Sequence, residues 1–155
     1  MKTKYLYNFL ALALLSYSCG GGGQSDIERI KAQSQMEPTD PYESWATNKG
    51  IGPISQITLE TTTEASLVAS GQEIFDSKCT ACHRIDKKFI GPSPKDILSR
   101  RTPEWVMNMI LNPDEMVQKD PIAKKLLMEF NGSPMANQNL TQEEARAVLE
   151  YFRSL

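Results

Sequence analysis

Cys79-Thr80-Ala81-Cys82-His83 places two thiols three residues apart, with an imidazole directly after the second. On a helical turn, positions i, i+3 and i+4 share one face, so all three side chains can reach one planar ligand. This is the attachment pattern for a c-type haem, in which the thiols add across the two vinyl groups and the imidazole binds the iron. Other uses of these residue types fit less well. A structural zinc site wants four Cys or His ligands, and the chain holds one histidine and one further cysteine, Cys19, in its leader. A thioredoxin-like dithiol sits beside a βαβ pattern, and no strand-like run precedes Cys79. One covalent haem c is therefore the expected cofactor, bound by Cys79, Cys82 and His83.

His83 is the only histidine, so a second imidazole from this chain is excluded. The soft alternative is a methionine thioether, which favours reduced iron and raises the potential. Beyond the leader the chain offers Met36, Met107, Met109, Met116, Met128 and Met135. Most stand at helical spacing, where methionine commonly fills gaps in a core. Met135 differs. It lies in the irregular run Ser133-Pro134-Met135, after Asn131-Gly132 and before the last helical stretch, and is the expected distal metal ligand.

Helices must position these groups. Thr63 is placed to cap a helix from Glu64 to the thiol motif, with Leu67, Gly71, Ile74, Phe75 and Lys78 along one side. Gly71 inside a helix costs about 1 kcal/mol relative to alanine, which points to close approach by another backbone. Thr102-Pro103-Glu104 combines a cap, a first-turn proline and an acid; Trp105, Val106, Met109 and Ile110 supply an apolar side, and Asn112-Pro113 ends the element. Asp120-Pro121 opens another, lined by Ala123, Leu126, Leu127 and Phe130 and stopped at Asn131-Gly132. Thr141-Gln142-Glu143-Glu144 is a capping box before the stripe Ala145, Val148, Leu149 and Phe152.

Gly71-Gln72-Glu73-Ile74-Phe75, three further residues and then Cys79–His83 resemble the N-terminal helix of class I cytochromes c, mitochondrial and bacterial. The resemblance covers roughly residues 64–155. It implies an all-α, cytochrome c-like fold with the haem in the core. The N- and C-terminal helices would cross nearly perpendicularly, with Gly71 and Phe75 at the crossing and Tyr151 against Phe75. It further implies that a proline carbonyl in the loop after the motif accepts the second ring N–H of His83. Pro92 is the match, with Pro94 as a competitor two residues on. The place of Met135 is similar to the distal-ligand loop of bacterial members, although Ala136 stands where many have proline. In some relatives a tryptophan near Trp105 binds a haem propionate; core packing is the other reading of Trp105. Arg100 and Arg101 are candidate propionate partners on charge, or a solvated lead-in to the helix.

Residues 1–18 read as an export signal, with Lys2 and Lys4 before an apolar run, Tyr5 to Leu15, that is short for a membrane span. Ser16-Tyr17-Ser18-Cys19 resembles the cleavage box of bacterial lipoproteins, with Leu15 one place too far upstream and Tyr17 where a small residue is usual. Cys19 is the expected lipidation site, ordinary secretory cleavage being the alternative. Residues 19–63 read as a flexible extension that begins with Gly20–Gly23 and is punctuated by Pro38, Pro41 and Pro53. Fully flexible, it would reach roughly 35–40 Å. Tyr42, Trp45, Ile51, Ile54, Ile57 and Leu59 are too apolar for a pure spacer, so Tyr42–Leu59 either lies partly against the domain or forms a loose arm.

Removing Lys2 and Lys4 takes the formal charge from −2 to −4, which argues against nucleic acid. The acidic balance hints at basic patches on protein partners. Two strong axial ligands would leave the iron no vacancy, which suits one-electron transfer rather than enzymatic turnover. The resemblance implies a membrane-tethered, extracytoplasmic monohaem carrier between a quinol-oxidising complex and a terminal oxidase or exported reductase. Two other readings stay open. One is a haem enzyme or gas sensor with an easily displaced Met135; the other is a haem subunit of a larger oxidoreductase, docked through Tyr42–Leu59.

Overall fold

The structure, a computed structural model, describes residues 40–155. The expectations for the export signal, Cys19, the Gly20–Gly23 run, Met36 and Pro38 fall outside those residues. Among the described residues the fold is helical, without strands: α1 Ala65–Lys78, α2 Pro103–Leu111, α3 Pro113–Lys119, α4 Pro121–Glu129 and α5 Gln142–Arg153. Short 3₁₀ turns occupy Pro41–Ser44 and Ile97–Ser99.

Helices α1 and α5 pack on each other through their smallest and largest residues. Gly71 and Phe75 are the buried positions of α1. A Cβ on Gly71 would stand 2.0 Å from the Ala147 carbonyl oxygen, so only glycine admits the α5 backbone there. The Phe75 ring lies 5.7 Å from those of both Tyr151 and Phe152, edge-on to the latter. Burying Phe75 contributes roughly 1.5–3 kcal/mol, more than the helical cost of the glycine that permits the approach. The start of α1 differs slightly from expectation. Glu64, not Thr63, occupies the cap position, and its side chain makes no capping bond. At α5 the capping box is complete, with Glu144 N–H donating to Thr141 Oγ1 at 3.2 Å and Thr141 N–H to Glu144 Oε2 at 2.8 Å.

Between them run three short helices, each opened by proline. Thr102 Oγ1 accepts the Trp105 N–H at 3.1 Å and starts α2; Asp120 Oδ1 accepts the Ala123 N–H at 2.8 Å and starts α4. Sequence reasoning passed over α3. Asn112 ends α2 and also serves as the cap position of α3, whose Pro113, Asp114, Glu115 and final Lys119 carry the usual polarity of a helix. Helix α4 stops as expected, with Asn131 and Gly132 both at positive φ.

The expectation of a flexible extension over residues 19–63 is corrected for residues 40–63. Residues 40–155 belong to one compact unit. Asn108, 1% exposed, holds the segment. Its Oδ1 accepts the Ile54 N–H at 2.9 Å, and its Nδ2 donates to the carbonyls of Ile54 at 2.8 Å and Lys49 at 2.9 Å. Thr102 Oγ1 donates to Asn48 O at 2.6 Å, and Asn48 Nδ2 donates to Asp120 Oδ2 at 2.7 Å. Ile54 enters the core, with Tyr42, Trp45, Ile51, Ile57 and Leu59 packed against it. These apolar residues are spent on the chain's own helices, which removes Tyr42–Leu59 as a free docking arm.

Candidate functional site

Helix α1 delivers the thiols. Cys79 is its C-cap residue, and its N–H donates to Phe75 O at 2.9 Å. The chain then makes one more turn, with the N–H groups of Cys82 and His83 both donating to Cys79 O, at 3.1 and 2.9 Å. Cys79, Cys82 and His83 thus line one cavity, as does Met135 from the loop between α4 and α5. Both cysteines are free thiols. Burial pushes the Cys79 thiol above its ordinary pKa, against the pull of Lys78.

The imidazole is fixed on two sides. His83 Nδ1 lies 2.8 Å from the Pro92 carbonyl oxygen. Since a carbonyl only accepts, Nδ1 carries the proton and Nε2 keeps its lone pair for a metal. The Pro94 carbonyl instead accepts the Ile97 N–H at 3.1 Å, which separates the two prolines that sequence alone left in competition. Gly91 lies flat against the ring: a Cβ there would stand 2.5 Å from His83 Cε1. Its N–H donates to Cys82 O at 2.8 Å, tying the loop back to the motif. Sequence reasoning passed over this role of Gly91.

Of the methionines, Met107 and Met116 are buried in the core, 2% and 0% exposed, and Met128 is 76% exposed. Met116 sulfur accepts the Ile51 N–H at 2.9 Å. Met109 and Met135 line the cavity. Met109 is held within α2, whereas Met135 stands on irregular backbone between Gly132 and Thr141.

Of the two readings of Trp105, the contacts favour core packing. The residue lines the cavity but is 4% exposed, and its indole N–H donates to Asp120 Oδ1 at 3.0 Å. Asp120 also takes the Ala123 and Asn48 bonds, so the indole proton is committed to a structural node and is not available for a propionate. Arg100 is likewise occupied, donating to the carbonyls of Ser93 at 2.6 Å, Lys95 at 2.9 Å and Asp96 at 3.0 Å. Arg101 is the one left over. It is 6% exposed, and its buried Nε has no partner among the described residues. Burial lowers its pKa from the ordinary value.

The cavity holds about 190 Å³, more than ten times the space of about 10–15 Å³ that one water needs. Its walls include Phe75, Pro94, Val106, Ile110, Leu126 and Val148. An apolar slot with two thiols on one rim, a fixed imidazole, a thioether and an unsatisfied guanidinium fits a flat, mostly apolar dianion carrying a metal. A haem with its two propionates meets that description, and the residues present fit it.

Comparison with known proteins gives a consistent picture. The family profile described as cytochrome c matches residues 68–155. A cytochrome c-551 of Ectopseudomonas mendocina is 31% identical over 88 residues, which span 56% of this chain and 99% of that protein. The solved structure of a cytochrome c from Rhodothermus marinus is 42% identical with a TM-score of 0.65, covering 73% of this chain and 95% of that one. An engineered form of the Rhodothermus protein, bound to a carbene intermediate, matches with 43% identity and a TM-score of 0.63 over 74% of this chain and 96% of that chain.

Proposed function

Because the chain belongs to the cytochrome c family, whose members carry one covalently attached haem c, we propose that it is a monohaem electron carrier whose iron His83 and Met135 would hold. The observation that carries this reading is the His83 Nδ1 to Pro92 carbonyl contact at 2.8 Å, which leaves Nε2 for the iron in a cavity that Met135 also lines. When bound, the haem supplies an iron that takes up and returns one electron. The chain's residues do the rest. Cys79 and Cys82 hold the group covalently, the Pro92 carbonyl and Gly91 keep the imidazole from rotating, and the apolar walls exclude water.

The carrier works outside the cytoplasm, anchored through a lipidated Cys19, between a quinol-oxidising complex and a terminal oxidase or exported reductase. The leader residues and the cytochrome c-551 relatives support the extracytoplasmic part. The docking face is lysine-rich, with exposed Asp76, Asp86 and Asp96 beside the lysines in sequence, although the chain is acidic overall. Lys78, Lys87, Lys88 and Lys95 are exposed close to the thiol motif in sequence, with Phe89 and Ile90 46% and 47% exposed among them. Such a face suits an acidic patch on the partner, which reverses the hint from net charge.

Absorption spectra test the ligand set. Ferric wild type should show the weak long-wavelength band of sulfur-to-iron ligation, retained in Met109→Ala and lost in Met135→Ala. Retention in Met135→Ala overturns the assignment. A second reading has two supports: the Met135 backbone makes no backbone hydrogen bond among the described residues, and an engineered relative binds a carbene. On that reading Met135 is displaced by exogenous ligands. Rapid binding of carbon monoxide by the ferrous wild type would favour it over the closed carrier.

A further inference from the structure

Arg101 is buried outside any ion pair of the described residues, with the buried Asp120 carboxylate acting on it only through space. Its Nη1 donates to Arg100 O, its Nε has no partner among the described residues, and it forms none of the ion pairs there. A guanidinium taken out of water without compensation is strongly disfavoured. What it has instead is two aromatic faces. Its central carbon lies 4.7 Å from the centre of the Tyr42 ring and 5.1 Å from that of Trp105, a gripping arrangement that suits the planar cation. Trp105 belongs to α2. Tyr42 comes from the 3₁₀ turn Pro41–Ser44, outside the residues that match the family profile.

Tyr42 is itself held. Lys125 Nζ sits 4.1 Å over its ring and pairs with Asp40 Oδ1 at 2.7 Å, while Asp40 Oδ1 also accepts the Tyr42 N–H at 2.9 Å. Its hydroxyl is buried without a hydrogen-bond partner among the described residues. Burial, with Glu129 nearby, pushes the phenol well above its ordinary range, so the ring stays neutral as it faces the cation.

We propose that Tyr42 is a positioning residue of the haem pocket: its ring and that of Trp105 hold the Arg101 guanidinium against a haem propionate. The N-terminal segment then contributes to the electronics of the iron and not only to packing. This rests on the haem reading above. A fixed, desolvated cation near the propionate offsets its negative charge, which otherwise favours ferric iron, and so raises the reduction potential.

The test is voltammetry of the full-length holoprotein as wild type, Tyr42→Leu, Tyr42→Phe, Arg101→Gln and the Tyr42→Leu/Arg101→Gln double variant. Tyr42→Leu should lower the midpoint potential and Tyr42→Phe, which keeps the ring, should leave it near wild type. In the Arg101→Gln background the leucine should add little, because the two residues act as a unit. An unchanged potential in Tyr42→Leu, an equal shift in both backgrounds, or a Tyr42→Phe protein as low as Tyr42→Leu each overturns the proposal. A wild type without the haem spectrum would overturn the parent reading and this one with it. A haem-bearing wild type whose potential ignores Tyr42 overturns this one alone.

Discussion

Gly71 and Ala147 meet backbone to backbone: a methyl group on the glycine would stand 2.0 Å from the alanine's carbonyl oxygen and 2.5 Å from its carbonyl carbon. Two effects of a Gly71→Ala change oppose each other. Helix propensity favours alanine by about 1 kcal/mol, while overpacking against main chain that cannot swing away costs about 1–3 kcal/mol. The clash wins, because Phe75, Tyr151 and Phe152 interlock one turn on and resist separation of the helices. Denaturant titration should place Gly71→Ala about 1–2 kcal/mol below wild type. A more stable variant would mean that the approach of α1 and α5 is looser than described.

Gly91 is the second position where a side chain has no room, and here the neighbour is the ligand. A Cβ would lie 2.5 Å from His83 Cε1 and 2.9 Å from Nδ1. Gly91→Ala should push the imidazole off the Pro92 carbonyl, lowering the yield of haem-loaded protein and shifting the Soret band of what is recovered. Pro92→Ala keeps the acceptor oxygen and should perturb the spectrum less. If the two variants behave alike, the imidazole is not fixed in the way the contacts imply.

Asn108 is a single side chain holding a long segment. Replacing it by alanine leaves the Ile54 N–H and two carbonyls to find new partners in a buried place. At about 1–3 kcal/mol for a stranded buried group, Asn108→Ala should cost about 2–4 kcal/mol. Hydrogen exchange should show the Ile54 amide losing its protection while amides in α5 keep theirs at matched stability. Equal loss across the molecule would argue against a locally held strap.

The segment's first anchor, Asp40, adds a pH dependence with a definite sign. The Lys125 hydrogen bond, then the Tyr42 N–H, hold its carboxyl below its ordinary value of 3.8. A depressed folded pKa gives stability that is present above the unfolded pKa and lost as pH falls through the folded one. The melting temperature of wild type should exceed that of Asp40→Asn at neutral pH, with the gap closing as pH falls from the ordinary carboxyl value of 3.8 through the lower folded one. The pair is exposed, so the gap is small. A gap that widens in acid would reverse the assignment.

The lysine-rich face near the thiol motif gives a kinetic prediction. Oxidation of the reduced protein by an anionic iron complex should slow as salt is added, because attraction to Lys78, Lys87, Lys88 and Lys95 is screened over about 10 Å at 0.1 M. A cationic oxidant should show the opposite trend. If the chain's overall negative charge governs encounter instead, the two trends exchange.

What the amino-acid sequence determined by itself is what short spacings control. Cys79, Cys82 and His83 share a face because one helical turn puts them there, and Thr102, Asp120 and Thr141 cap their helices through bonds to residues three ahead. Gly71 as a packing site was legible because glycine in a helix needs a reason. The tertiary structure alone decided where residues 40–63 lie, since the groups that hold them are remote in the chain: Asn108 is 54 residues from Ile54, and Asp120 is 72 from Asn48. It also turned the Trp105 indole to Asp120, chose the Pro92 carbonyl over that of Pro94, and left Arg101 outside the ion pairs of the described residues. Each of those outcomes is a competition among buried polar groups for partners, and such competitions are settled only when the chain has closed around them.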